Sequence, residues 1–226
     1  MPLYLVATPI GNLEDITLRA IRVLGEVGLI AAEDTRKTRK LLTHYNIKTP
    51  LTSYHEYSRR SKIPYIMGRL EQEDVALVSE AGMPGISDPG YELVQAAIDN
   101  NVTVVAIPGP SALPAALAVS GLPADQFIYL GFLPRRKGKR VRLLKEIGAE
   151  PRTIIAFESP HRLLASLADI GETLGDRRIS VCRELTKIHE EVFRGTVSQA
   201  IDYFSQPRGE FTLVIEGLSG KKDSSF

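Results

Sequence analysis

The feature that most constrains this chain is a series of short, almost uniformly apolar runs: Leu3–Ala7, Leu29–Ala32, Val75–Val78 and Val102–Ile107. None shows the polar/apolar alternation of a strand with one wet face. Each is followed by turn residues and then by apolar positions at helical spacing, as in Ile16, Ala20, Val23, Leu24 and Val27. Strands that are apolar on both sides and alternate with helices predict a mostly parallel sheet covered on both faces. The expected helices run over residues 16–27 (capped by Asp15), 37–45 (capped by Asp34 or Thr35), 63–70, 91–100 and 112–120.

Gly121-Leu122-Pro123-Ala124-Asp125 marks a boundary. Beyond it, strands are expected at 127–129, 153–157, 179–183, 191–194 and 211–215, with helices between them. The reading is α/β: an N-terminal domain over 1–120, a C-terminal α/β domain over 125–218, and a flexible tail over 219–226.

Leu77–Gly90, LVSEAGMPGISDPG, carries three glycines and two prolines where an apolar strand gives way to a helix. Glycine lets a ligand lie against bare main chain, and proline stiffens the loop around that opening. The crevice past the carboxyl ends of strands is where open α/β sheets bind ligands.

Composition narrows the remaining options. A net charge of +1 gives no global field toward nucleic acid or membrane, so any basic surface has to be local. The single cysteine, Cys182, allows no internal disulfide and lies in an apolar run, which suits a buried thiol in a reducing compartment. The first apolar run is short and lacks a basic leader, so a cytoplasmic protein without a membrane partner is expected. The four histidines lack ligand spacing, so no metal is expected. Neither a dinucleotide fingerprint nor a phosphate-cradling Walker loop is present.

Seven stretches occur in one order: TPIGNLEDIT (8–17), AAEDTR (31–36), the 77–90 loop, PGPSA (108–112), ESPHRL (158–163), RELTK (183–187) and GEFTLVIEG (209–217). Together they resemble the small-subunit ribosomal RNA methyltransferases of the tetrapyrrole methylase superfamily, over about residues 3–217. The resemblance implies a two-domain class III methyltransferase fold with the cofactor cleft between the domains, S-adenosylmethionine as cofactor, and a homodimer. It implies 2′-O-methylation of a cytidine in the decoding region of 16S ribosomal RNA, within the small ribosomal subunit. Where that family has Asp-Ala-Gly-Thr-Pro, this chain has Glu80-Ala81-Gly82-Met83-Pro84, losing a hydroxyl at Met83.

By resemblance, the cofactor lies against Pro9, Gly82, Pro84, Gly85, Ile86, Ser111 and Ala112, with Phe157 and Leu185 from the second domain. Ser111 equally suits a plain helix cap, and the two roles are compatible. A sugar hydroxyl is a weak nucleophile and calls for a proton acceptor. Glu33, Asp34, Glu80, Glu158 and Glu184 all stand at strand ends, with His55 and Lys187 behind them. The Glu33-Asp34-Thr35-Arg36 turn is the favoured acceptor site, with Glu33, Asp34 and Arg36 as its catalytic residues.

Pro134–Lys145 holds seven cations and no acidic residue. Within it, Arg135, Arg136, Lys137, Lys139 and Arg140 are expected to grip RNA phosphates. Two other readings compete: methylation of a small tetrapyrrole, which needs no basic loop, and an RNA-binding ribosome-assembly factor without catalysis.

Overall fold

A computed structural model describes residues 1–218, with the backbone alone at Arg59 and Arg60. The tail expected at 219–226 lies outside the described residues. The chain forms two compact units, Met1–Ser111 and a second from Ala112 onward.

In the first unit, β1 (Leu3–Val6), β2 (Leu29–Ala32), β3 (Leu51–Ser53), β4 (Val75–Val78) and β5 (Val104–Ile107) form one sheet in the order β3-β2-β4-β1-β5. Every pairing is parallel. Val6, Ile30, Ala32, Ala76, Val78 and Ile107 join α1 (Leu18–Glu26) and α2 (Thr35–His44) in one core. Leu3, Leu29, Ala31, Val75 and Leu77 join α3 (Arg59–Leu70) and α4 (Tyr91–Asp99) in the other. Successive strand residues thus serve opposite cores, which is why the strands show no polar alternation.

The start of α1 differs from the sequence expectation. Asp15 ends a 3-10 turn, Leu13–Asp15, capped by Asn12. The helix begins instead at Thr17, whose hydroxyl accepts from the Ala20 amide at 3.1 Å. The expected apolar face is buried in full.

The second unit holds α5 (Ala112–Ser120), β6 (Phe127–Phe132), α6 (Lys137–Glu146), β7 (Thr153–Glu158), α7 (Leu163–Leu174), β8 (Arg178–Arg183), β9 (Glu191–Thr196), α8 (Val197–Tyr203) and β10 (Phe211–Ile215). Its sheet runs β6-β7-β10-β8-β9, with β6 parallel to β7 and the remaining pairings antiparallel. Helices α6, α7 and α8 close one face over Leu144, Leu167, Val197 and their neighbours. Helix α5 packs across β8, β9 and β10. The unit boundary therefore falls at Ser111/Ala112, before α5, and not at 120–125. An alanine-rich helix has no polar face to reveal which sheet it will cover. Cys182 is buried, with Sγ 3.9 Å from the Ala116 carbonyl of α5, and burial pushes its thiol pKa up.

Candidate active site

The carboxyl edge of the first sheet gathers the loops after β1, β2, β4 and β5. Thr8, just past β1, exchanges two backbone hydrogen bonds with Gly82: Thr8 N–H to Gly82 O at 2.9 Å and Gly82 N–H to Thr8 O at 2.8 Å. Inside this bridge the buried Ser79 hydroxyl lies 3.2 Å from the Ala81 carbonyl and 3.4 Å from that of Gly82.

Gly82 has φ +78°, a left-handed conformation that β-carbon sterics disfavour. A β-carbon there would stand 3.6 Å from Ile10, 3.7 Å from the Pro110 carbonyl and 4.0 Å from the Ser111 Cα. Pro9, Gly82 and Ser111 are thus brought into one neighbourhood. Gly85 is exposed at φ +85°, with nothing within 4 Å of the β-carbon it lacks, and Ile86 beside it is exposed. Pro84, the residue before Gly85, is buried. Bare, open main chain on a stiff loop offers its backbone groups to a molecule lying along it.

The turn after β2 resolves into distinct roles. Asp34 is the N-cap of α2 and accepts from the Arg36 amide at 2.8 Å and the Lys37 amide at 3.3 Å. The Arg36 amide first, and the charges around it, hold the Asp34 carboxyl below its ordinary pKa. Arg36 projects outward, 90% exposed, with its guanidinium 3.5 Å from Asp34. Glu33 is half-buried and accepts from the Glu80 amide at 3.3 Å. Burial, assisted by the neighbouring Glu80 carboxylate, raises its pKa above the usual range. Glu80 itself forms an ion pair with Lys37.

Asp88, absent from the sequence candidates, completes this group. It hydrogen-bonds Ser79, and burial followed by the charge of Glu33 pushes its pKa up to about 6. The signal for it was its place in the same glycine-rich loop, two residues before the Gly90 that opens α4.

Two other candidate bases are committed elsewhere. Glu158 is buried, pairs with Arg162 at 2.6 Å, and accepts from the Ser166 hydroxyl at 2.5 Å and the Ser159 amide at 2.7 Å. Glu184 accepts from Lys187 at 2.9 Å and the Glu210 amide at 2.8 Å. Burial opposes its ionisation, but these two donors outweigh it and hold its pKa low. His55 lies past β3, and its Nδ1 is buried without a hydrogen-bond partner among the described residues.

In the second unit, β7 and β8 both run antiparallel to β10, so Phe157 and Leu185 reach the same sheet edge. Phe157 is half-buried and meets Tyr129 and Phe132 edge-on, with centroids 5.2 and 5.5 Å away. Leu185 sits between Glu184 (φ +50°) and Thr186 (φ +66°). Two non-glycine residues held in this region store roughly 1–3 kcal/mol each, a pattern that concentrates at functional turns. Ala112 opens α5 and is half-buried.

The basic segment divides into two classes. Arg135, Arg136 and Lys139 are exposed. Arg140 corrects the sequence expectation: it is buried, its Nε bonds Asp169 Oδ2 at 2.7 Å, and it donates to the Pro134 carbonyl at 3.2 Å. Its charge is consumed inside the unit. Lys137 remains largely exposed but also reaches Asp169, at 3.2 Å, and Glu172, at 3.7 Å. Arg162 donates to the Leu133 carbonyl at 2.9 Å, so two arginines hold consecutive carbonyls of the β6–α6 turn.

Among the described residues, no group of three or more His, Cys, Asp or Glu side chains is placed to hold a metal ion. Among them too, no helix is long and apolar enough to cross a membrane.

The family model for Tetrapyrrole (Corrin/Porphyrin) Methylases matches residues 2–201. Proteins named ribosomal RNA small subunit methyltransferase I are similar over nearly the whole chain. The Thermotoga maritima protein is 53% identical, over 95% of this chain and 98% of its own length. The Synechocystis protein is 52% identical over 99% and 82%, and the Bacillus subtilis protein 48% over 97% and 76%. The crystal structure of a diphthine synthase superposes with a TM-score of 0.76 over 96% of this chain and 90% of that one. At 13% identity, this likeness concerns the fold alone.

Proposed function

We propose, since the chain belongs to the tetrapyrrole methylase family and within it to the ribosomal RNA small subunit methyltransferase I proteins, that it methylates the 2′-hydroxyl of a cytidine in the decoding region of 16S ribosomal RNA. The observation that carries this reading is the near-full-length identity of about one residue in two to proteins of that name. A cytoplasmic homodimer acting on the small ribosomal subunit goes with it, as the family resemblance implies.

S-adenosylmethionine, when bound, supplies a methyl group already activated on a sulfonium. What remains for the chain is to hold that cofactor, position a ribose oxygen and accept its proton. Pro9, Gly82, Pro84, Gly85, Ile86 and Ser111 would hold the cofactor from the first unit, and Ala112, Phe157 and Leu185 from the second. Fixing the acceptor oxygen in line supplies much of the rate by proximity.

For the proton, Glu33 and Asp88 are the fitting carboxylates, because both are shifted toward neutrality. A base with a pKa near the working pH contributes roughly 10²–10⁴-fold. In this reading Asp34 fixes the turn through its capping bonds, and Arg36 meets a phosphate beside the target ribose. Arg135, Arg136 and Lys139, with Lys137 in a lesser role, supply further phosphate contacts.

The test is transfer of labelled methyl from S-adenosylmethionine to small ribosomal subunits from cells lacking this protein, followed by nuclease digestion. Label in 2′-O-methylcytidine is expected. Cofactor binding without label in the subunits would reject the reading in favour of a small-molecule acceptor.

A further inference from the structure

Helix α2 carries Arg36, Lys37, Arg39, Lys40 and His44 and no acidic residue from Thr35 to His44. Several other surface helices hold at least one cation against a carboxylate one turn away: Arg22 with Glu26 on α1, Arg142 with Glu146 on α6, and Arg69 of α3 with Glu73. On α2, Arg36 and Lys37 reach Asp34 and Glu80, outside the helix. Arg39 and Lys40, both exposed, meet no carboxylate and make no hydrogen bond among the described residues.

This arrangement works against the helix. Like charges three and four residues apart repel, and cations in the first turn oppose the helix macrodipole. Local charge that contradicts local stability is expected where something other than folding uses it. Arg36, Arg39, Lys40, Thr43 and His44 recur at helical spacing on one face, and with Thr35 they line an open groove of about 590 Å³. The row starts at the Glu33–Arg36 turn and follows the ten residues of α2, about 15 Å of helix.

We propose that this face of α2 is a phosphate-binding track that holds the sugar–phosphate backbone of the RNA substrate as it leads into the acceptor turn. The proposal rests on the RNA-methyltransferase reading above. Arginine and lysine suit phosphate oxygens, and the Thr35 and Thr43 hydroxyls add neutral donors of the kind that commonly contact nucleic-acid backbones. An RNA strand on this face would supply the negative charge that the helix itself lacks.

The experiment compares the wild type with the double variant Arg39→Gln/Lys40→Gln, which leaves every proposed cofactor and acceptor residue in place. Binding to small ribosomal subunits from cells lacking this protein is measured from about 50 to about 200 mM salt. Weaker binding is expected, roughly three- to tenfold, with the slope of log affinity against log salt shallower by about 1.4, or about 0.7 for each phosphate no longer neutralised. S-adenosylmethionine binding should be unchanged, and the thermal midpoint equal or higher because a repulsion has been relieved. Arg39→Glu/Lys40→Glu should weaken RNA binding further. A folded double variant that binds with wild-type affinity and slope overturns the track, provided the wild type methylates the subunits. If the wild type binds S-adenosylmethionine but neither binds nor methylates the subunits, the RNA reading itself falls, and the track with it.

Discussion

Arg140 and Asp169 form a buried ion pair between α6 and α7, with both side chains under 5% exposed and Nε 2.7 Å from Oδ2. The same guanidinium holds the Pro134 carbonyl, so the pair joins the helix core to the turn that presents Arg135 and Arg136. Removing Arg140 leaves the buried Asp169 carboxylate facing only the largely exposed Lys137. Arg140→Ala should therefore cost about 3–5 kcal/mol in denaturant unfolding, whereas Arg140→Met/Asp169→Leu should recover most of it. A purely exposed, phosphate-facing Arg140 would show little change in stability.

Gly82→Ala should fold, since a β-carbon there meets nothing closer than 3.6 Å. Its φ of +78° should still cost about 1–2 kcal/mol, and any shift of the Thr8–Gly82 bridge should weaken S-adenosylmethionine binding. Calorimetric unfolding and cofactor titration of the same variant separate the two effects.

The Asp88 carboxyl has its pKa raised from 3.8 to about 6 in the folded chain, so the folded state holds a proton that the unfolded state releases. Stability on this account is full below about pH 4 and falls as pH rises toward 6, levelling off above it. Asp88→Asn should raise the unfolding midpoint at pH 8 and leave it nearly unchanged at pH 4. Methyl transfer by the wild type should rise through about pH 6 as Asp88 ionises, and the variant should lose that rise. An unaltered pH–rate profile in Asp88→Asn would leave Glu33 as the proton acceptor.

Asp34 and Arg36 should separate cleanly. Asp34→Ala removes two capping bonds and should lower the thermal midpoint. Arg36→Ala removes an exposed guanidinium and should leave the midpoint unchanged while slowing methyl transfer to ribosomal subunits. Variants of both that methylate at the wild-type rate would remove this turn from the acceptor site.

Much of the first unit was legible because its strands are buried on both faces, so Leu3–Val6 or Val75–Val78 read as strand with no knowledge of their neighbours. The cap of α2 was legible to within one residue, Asp34 or Thr35, since an N-cap bonds amides two and three residues on, and the structure selects Asp34. Arg140 was not. In sequence it is one cation in a basic run, and its partner Asp169 lies 29 residues away on another helix. Helix α5 hid its allegiance because alanine marks no face. Asp88 hid because its raised pKa comes in part from Glu33, distant in sequence and brought near by the adjacency of β2 and β4.

The position of β1 between β4 and β5 has a consequence for the chain as it is made. Leu3–Val6 has no strand partner until Val75–Val78 exists, because β2 and β3 pair elsewhere. At roughly 5–20 residues per second of synthesis, the first strand waits on the order of 4–14 seconds with both edges open. Thr8 waits with it, since its partner Gly82 is made later still. The nascent chain therefore spends that interval without the 77–90 loop, and even when β4 and the loop have been made one edge of β1 stays open until β5 follows.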